Sequence, residues 1–473
     1  MNAITDTLTF LADNIFSQVP ILIGGITLIG LILQKKRVED IVAGALRATI
    51  GVVVLLIGID VFTSGLLSFQ RVLANAMGTT PPVAKASLDD FLSNQGGTIA
   101  LVLTLAFLVH LVIVRIFPAA RYLYLTGHLM FWVSTVTVAS LLVIAPDADQ
   151  LTLVLCGAGF VAAYFTLQPL WMRPLMRMIG QDERFGYAHT SSIACVVTGF
   201  VARPFGDKEK HDAEKVNLPR QLSFFKDVNV STALVLSIIM LIAVAFADKA
   251  IVALEANKFS DGISPWVWAM LVALRFAGGI AIMLYGVRMF LAEIVPAFKG
   301  ISDRVIPGTR PALDAPTVFP FAPTAVMIGF VASTTVFLGC LGIFAATGWF
   351  TLVPPMIMLF FAGGAAGLFG NAVAGWRGAA IGGVIGGLTL AFGQAITWGL
   401  FENVAPELAA LADPDWYVIA WLLRAAEPVV GGSGVWIVPV VALVATAVCL
   451  LILGRKDRSP APEVTPVSTT NNA

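Results

Sequence analysis

Between Gly286 and Pro316 the chain reads GVRMFLAEIVPAFKGISDRVIPGTRPALDAP, a run of charges and prolines set between two apolar segments of membrane length. It begins inside an apolar helix and leaves it through Arg288 and Glu293. It then crosses a basic turn (Lys299, Arg304, Arg310) and reaches Asp314 between prolines. FAPTAVMIGF takes the chain straight back into apolar sequence. In lipid, charges and broken backbone are costly unless they line a cavity or meet another part of the protein. The stretch is therefore expected to form one wall of a polar site inside a membrane protein.

The rest of the chain agrees. Hydrophobic residues make up 58% and charged residues 12%, where a soluble domain carries about 25% charge. The 43 glycines suit close helix packing and broken helices in a membrane. A net charge of zero gives no reason to expect nucleic acid. Asp6 and Asp13 precede the first basic residue, Lys35. A cleaved signal needs a positive start, so the first apolar segment is expected to remain as a membrane helix. Cys156, Cys195, Cys340 and Cys449 are dispersed and form no C-x-x-C or Cys/His cluster. They read as small buried thiols, and no metal or cofactor is expected.

The fold class expected is an all-α polytopic membrane protein. It has about eleven transmembrane helices, near 15–34, 41–67, 98–117, 122–145, 151–172, 229–248, 265–292, 322–346, 352–373, 378–401 and 434–454. Basic residues gather on one face, in the turns at 35–40, 115–121, 173–228 and 293–312, at Arg377 and in the tail at 455–458. The opposite face holds only Arg71, Lys85, Lys249 and Lys258. That bias puts the N-terminus outside and the C-terminus inside.

Three further stretches, 185–202, 313–325 and 416–433, are too apolar for loops and too broken for plain spans. They read as re-entrant hairpins or as amphipathic surface helices. Residues 1–458 are expected to form one transport domain with halves at about 1–205 and 222–458, followed by a disordered polar tail at 459–473. The Pro-x-x-Arg spacing of Pro118–Arg121 recurs at Pro307–Arg310. With a basic connection dividing the spans, it suggests an inverted repeat with a substrate between the halves.

Few polar residues fall inside the apolar segments. His128, in TGHLMFW, is either a ligand for a hydroxylated ring or an enolic oxygen, or a core histidine bonded to a carbonyl. His110, in FLVHLVIV, has no polar neighbour in sequence and reads as a core residue. His189 opens AHTSS, where Thr190, Ser191 and Ser192 follow it. His211, in KEKHDAEK, reads as solvated. Asp314 either caps a short helix that starts at Ala315 or accepts hydrogen bonds from a substrate, and one residue can do both. Arg288 and Glu293 are badly spaced for each other, so each is expected to pair with another element. The chain has no P-loop, no acidic ladder through the spans and no regular arginine series. It is therefore not a self-contained ATP-driven pump, and the missing ladder counts against one reading of it, an ion-coupled transporter of a small polar solute that works without phosphorylation.

TGHLMF, GVRMFLAE followed by AFKGISDRVIPG, FAPTAV and GNAVAGWRGAA, in this order and spacing, resemble the ascorbate-type membrane component (enzyme IIC) of the bacterial sugar phosphotransferase system. The similarity covers nearly the whole chain. It implies a homodimer surrounded by lipid in the cytoplasmic membrane, with an oligomerising part and a substrate-carrying core. It implies uptake of L-ascorbate, or a related hydroxylated sugar or sugar acid, coupled to phosphorylation. A cysteine of a separate IIB protein, itself served by IIA, is the phosphoryl donor, so no catalytic residue is expected on this chain. The family's site histidine is His128, accompanied by Leu129, Met130 and Phe131. Its second histidine is His189, and its acidic ligand is Asp314. The positions of two family glutamines are occupied by Trp132 and Thr190. The family's Thr-Tyr pair after the second span has no counterpart in TTPPVAKAS (79–87).

Overall fold

The computed structural model describes Phe10, Asn14 and residues 18–78, 82–182, 184–216 and 228–458. The 459–473 tail and a part of the 173–228 connection, from 217 to 227, lie outside the described residues. The first helices are α1 (Val19–Leu33), α2 (Val38–Ala76), α3 (Leu88–Ile116), α4 (Gly127–Ile144) and α5 (Gln150–Met178). Shorter elements follow: α6 (Ser192–Val201), α7 (Lys208–His211), α8 (Val228–Phe246) and α9 (Lys249–Phe259). The remainder are α10 (Pro265–Arg304), α11 (Pro323–Thr347), α12 (Met356–Leu400), α13 (Glu407–Leu411), α14 (Pro414–Val430) and α15 (Ile437–Arg458). Among the described residues, 8 helices are long and apolar enough to cross a membrane, with α1 and part of α8 as shorter apolar helices. Each expected span overlaps a helix over most of its length.

Helix α12 is two helices in one. Ala374 and Gly375 leave helical geometry, with Gly375 at φ 68°, a region that glycine enters without the Cβ penalty. The two arms then fold back on each other. A Cβ on Gly370 would lie 2.0 Å from the Gly378 carbonyl oxygen, and one on Gly382 would lie 2.2 Å from that of Ala366. The expected segments 352–373 and 378–401 are these arms.

Helix α10 departs from expectation. Its 40 residues span about 60 Å, roughly twice the hydrocarbon thickness. Charge does not end it at Arg288 and Glu293; it continues to Arg304. The neighbours absorb the polar groups: Glu293 pairs with Arg47 of α2 at 3.3 Å, and the Gln34 amide donates to the carbonyls of Pro296 and Ala297. Helices α2 and α10 run antiparallel in near backbone contact. Gly51 sits against Phe290 and Gly58 against Met283, with no room for a Cβ at either.

Helices α1 and α2 pack with α8 and α10, α3 packs with α5, and α11 packs with α12, which also carries α6. These units cut across the division at the basic connection, since α1 and α2 come from the first half and α8 and α10 from the second.

The all-helical expectation needs one correction. Three breaks between helices pair into a small parallel sheet in the order β1-β3-β2, made of β1 (Tyr122–Tyr124), β2 (Gly186–Tyr187) and β3 (Arg310–Leu313). Tyr122 aligns with Arg310, and Gly186 with Ala312. The fourth segment therefore starts as a strand, and its helix begins at Gly127. The reason is backbone satisfaction: Tyr122, Tyr124 and Tyr187 are fully buried, and a buried peptide group must be paired. The two Pro-x-x-Arg motifs sit side by side at the start of β1 and β3, where the Arg310 N–H donates to the Arg121 carbonyl.

Candidate functional site

The three parallel strands end together, and each end delivers one polar side chain. Strand β1 runs through Leu125 and Thr126 into α4, with His128 in its first turn. Strand β2 runs through Ala188 to His189, just before α6. Strand β3 ends at Asp314, which caps the 3-10 turn Ala315–Thr317. Further bonds extend the ladder: Leu125 N–H donates to Ala312, and Ala188 N–H donates to Leu313. The Thr126 hydroxyl donates to the Ala188 carbonyl at 2.8 Å. Side chains 61 to 186 residues apart in sequence are thereby fixed on one rigid support.

Asp314 is the centre. Its Oδ2 lies 3.5 Å from His128 Nε2 and its Oδ1 lies 3.8 Å from His189 Nε2. Oδ1 also accepts from the Ala315 N–H at 2.7 Å, so the cap and the site role coexist. Ser191 N–H donates to His189 Nδ1 at 3.1 Å. That bond makes Nδ1 an acceptor and leaves the ring proton on Nε2, facing Asp314. The side chain of His128 is 44% exposed while that of His189 is 5% exposed, so His128 reaches into open space and His189 forms the floor.

That space is a cavity of about 420 Å³, large enough for a small solute. His128, Leu129, Trp132, His189 and Asp314 line it, together with Asp413, Trp416 and apolar groups such as Ile357, Met358 and Phe361. Among the described residues, no lysine or arginine lines it. Trp132 stacks on Trp416, with ring centres 5.6 Å apart and planes at 27°, forming one aromatic wall.

Three sequence-predicted residues stand outside the lining. Met130 is fully buried in the core and Phe131 packs edge-on against Trp132. Thr190 is fully buried and donates to Asp413 Oδ2 at 2.5 Å. His110 is a core residue. Its Nε2 accepts from the Tyr124 N–H at 3.1 Å and its Nδ1 bonds the Thr166 hydroxyl at 2.9 Å, fastening β1 to α5. His211 is half-buried: its ring bonds the Asp207 backbone at an exposed position while its carbonyl packs on Gly375. Cys156, Cys195 and Cys340 are buried, and Cys449 is half-buried.

Asp413 and Asp415 escaped sequence reasoning, which began its third broken stretch at Trp416. The available signal was Asp413-Pro414-Asp415, an acidic residue followed by proline at the start of a helix, which is a helix-start pattern. Asp415 is fully buried and accepts from the Tyr164 hydroxyl (2.7 Å), the Ser192 hydroxyl (2.5 Å) and the Ile193 N–H (2.8 Å). The Asp415 N–H donates back to the Thr190 carbonyl. This clamp joins the start of α14 to the start of α6 and holds the AHTSS segment in place. Farther along α14, Arg424 and Glu427 pair with each other on its exposed side.

Acceptors, ring nitrogens and a stacking face around a solute-sized space, inside a bundle of membrane-length helices, define a polytopic membrane protein with an internal polar cavity. A family described as "PTS system sugar-specific permease component" matches residues 14–415. The chain belongs to that family and is a multi-pass protein of the bacterial inner membrane. It is 26% identical over 428 residues to the "Ascorbate-specific PTS system EIIC component" of Mycoplasma pneumoniae (strain ATCC 29342 / M129 / Subtype 1). The match covers 80% of this chain and 64% of the relative.

Proposed function

We propose that this chain is the translocating subunit of a phosphotransferase uptake system for L-ascorbate or a related hydroxylated solute. The solute enters the cavity from outside and is held there by His128, His189 and Asp314. It is carried inward and is phosphorylated by a separate IIB protein recharged by IIA. The observation that carries this reading is the convergence of two histidines on Asp314 at the ends of three parallel strands. A carboxylate and two ring donors in a low-dielectric cavity match vicinal hydroxyls, which donate to the one and accept from the others. The protein supplies positioning, and the phosphoryl chemistry stays with the partner.

The same reading includes eleven spans, with α1, α8 and the two arms of α12 joining the other membrane-length helices. The N-terminus lies outside and the C-terminus inside. Two copies associate through apolar faces such as that of α15, where Val440, Val444 and Val448 are exposed. Lys208, Lys210 and Lys215 give the cytoplasmic connection a basic rim for IIB. Replacing all three by alanine is expected to slow association with IIB at low salt, and an unchanged rate removes the rim from the docking surface.

The test of function is the product inside the cell. Cells supplied with a labelled solute are expected to contain its phosphate ester, lost when IIB is deleted. Free solute accumulated without IIB and abolished by an uncoupler would instead establish an ion-coupled transporter.

A further inference from the structure

Strand β1 leads to His128 at one end; at its other end Arg121, directly before the strand, borders a second cavity of about 430 Å³. Helices α3 and α15 both pack on α5 and on the 3-10 turn Pro118–Ala120, and the cavity lies between their C-terminal ends. Ile116 and Phe117 wall it on one side and Leu450 and Leu451 on the other, with Arg121 and Arg455 in the same lining. Among the described residues, no carboxylate lines it. Arg115 in the last turn of α3 and Arg455 near the end of α15 set this end of both helices at the membrane–water interface, the level at which long basic side chains leave hydrocarbon. The walls face lipid: Leu108, Val112 and Ile116, four residues apart on one face of α3, are exposed, and so is Leu451.

Two cations above an apolar groove match a molecule with an anionic head and a hydrocarbon body. We propose that this cavity seats the headgroup of an anionic phospholipid, with Arg121 and Arg455 on its phosphate and an acyl chain along the exposed face of α3. Basic pockets between membrane helices at the interface recognise such headgroups, and the planar guanidinium suits a phosphate. A guanidinium has five N–H donors, so it serves a partner inside the protein and a phosphate at once. A soluble phosphate would satisfy the arginines and leave the apolar walls wet; a lipid covers the whole lining. Arg121 is also held at φ 37°, a conformation that favours glycine, and backbone strain of this kind gathers at ligand-contacting positions. The Arg121 carbonyl accepts the Arg310 N–H, so a lipid on Arg121 braces the β1–β3 pair that carries His128 and Asp314. The lipid is a partner of the fold, separate from the imported solute, and the inference stands whichever solute that is.

Native mass spectrometry of the purified full-length protein, titrated in detergent with dioleoylphosphatidylglycerol or dioleoylphosphatidylcholine, tests it. The wild type is expected to bind the first phosphatidylglycerol at least about tenfold tighter than phosphatidylcholine. Arg455→Gln is expected to weaken phosphatidylglycerol binding about fivefold, and the double variant with Arg121→Gln about twentyfold, with phosphatidylcholine unaffected. Arg37→Gln, at an exposed arginine outside the cavity, is expected to change nothing. A wild type without preference for the anionic lipid overturns the proposal, and that result does not depend on any variant folding. An unchanged preference in a monodisperse Arg455→Gln sample overturns it, as does an equal loss in Arg37→Gln, which would mean unspecific charge attraction. Displacement of the lipid by inorganic phosphate or sn-glycerol 3-phosphate alone would make this a site for soluble anions and overturns it too. So does a double variant that loses its oligomeric state with phosphatidylglycerol affinity intact, since the cavity would then seat a second copy of the chain.

Discussion

Asp413 and Asp415 stand two residues apart on one turn, share a buried environment and have opposite hydrogen-bond surroundings. Asp415 is saturated, with three donors from α5 and α6 on its two oxygens. Asp413 takes a single hydroxyl and keeps one oxygen unpaired. Asp314, on the other side of the His189 ring, is also lightly bonded: one oxygen caps a turn while both face histidines beyond ordinary hydrogen-bond length. The contrast separates a carboxylate that builds the fold from Asp314, which the fold leaves lightly bonded at the cavity. A saturated acceptor is costly to remove and has little left to offer, whereas an under-satisfied one is costly to keep unless a ligand completes it.

The sharpest way to break the contrast is at the clamp. Asp415→Ala strands two hydroxyls and a backbone N–H in the core and is expected to cost about 3 kcal/mol or more, read as a lower unfolding temperature in detergent. A loss under about 1 kcal/mol would mean that the clamp does not hold α14 to α6. At the cavity the expected effects reverse. His128→Ala and Asp314→Asn should each lower uptake at least about a hundredfold with little change in unfolding temperature; near-normal uptake by both would remove them from the site. Gly375→Ala lies between these extremes. It places a Cβ against the His211 carbonyl in a left-handed conformation and is expected to cost about 1–3 kcal/mol, with uptake falling only as folded protein falls. The smallest effect is expected of Trp132→Gln. It exchanges a stacking face on Trp416 for an amide and should alter relative uptake of ring and open-chain solutes by under about tenfold. A stability loss above about 2 kcal/mol would instead make Trp132 a core residue.

Much of this was legible in the sequence because membrane helices announce themselves by composition, and because His128, His189 and Asp314 are polar residues bordering apolar runs. The sheet was not legible. Its strands are two to four residues long, too short for any alternation to show, and their pairing spans most of the chain. The sequence places the end of the α10 span at 292 because a charge in lipid is costly until its partner, Arg47 on α2, is known. Asp413 and Asp415 lie just before the stretch that begins at Trp416, and only the opposing Thr190, Ser192 and Tyr164 tell the two apart. Thr190 was expected among the ligands because it neighbours His189, yet its hydroxyl is spent on Asp413.

The most direct test is a cryo-EM map of the protein with whichever solute it imports bound. The account predicts density in the 420 Å³ cavity, within hydrogen-bond reach of Asp314 and both His128 and His189 and beside the Trp132–Trp416 wall. Density in the groove formed by Pro118, Arg121 and Arg455, or beside Asp90 and Asn403, with Asp314 left unengaged, would contradict it.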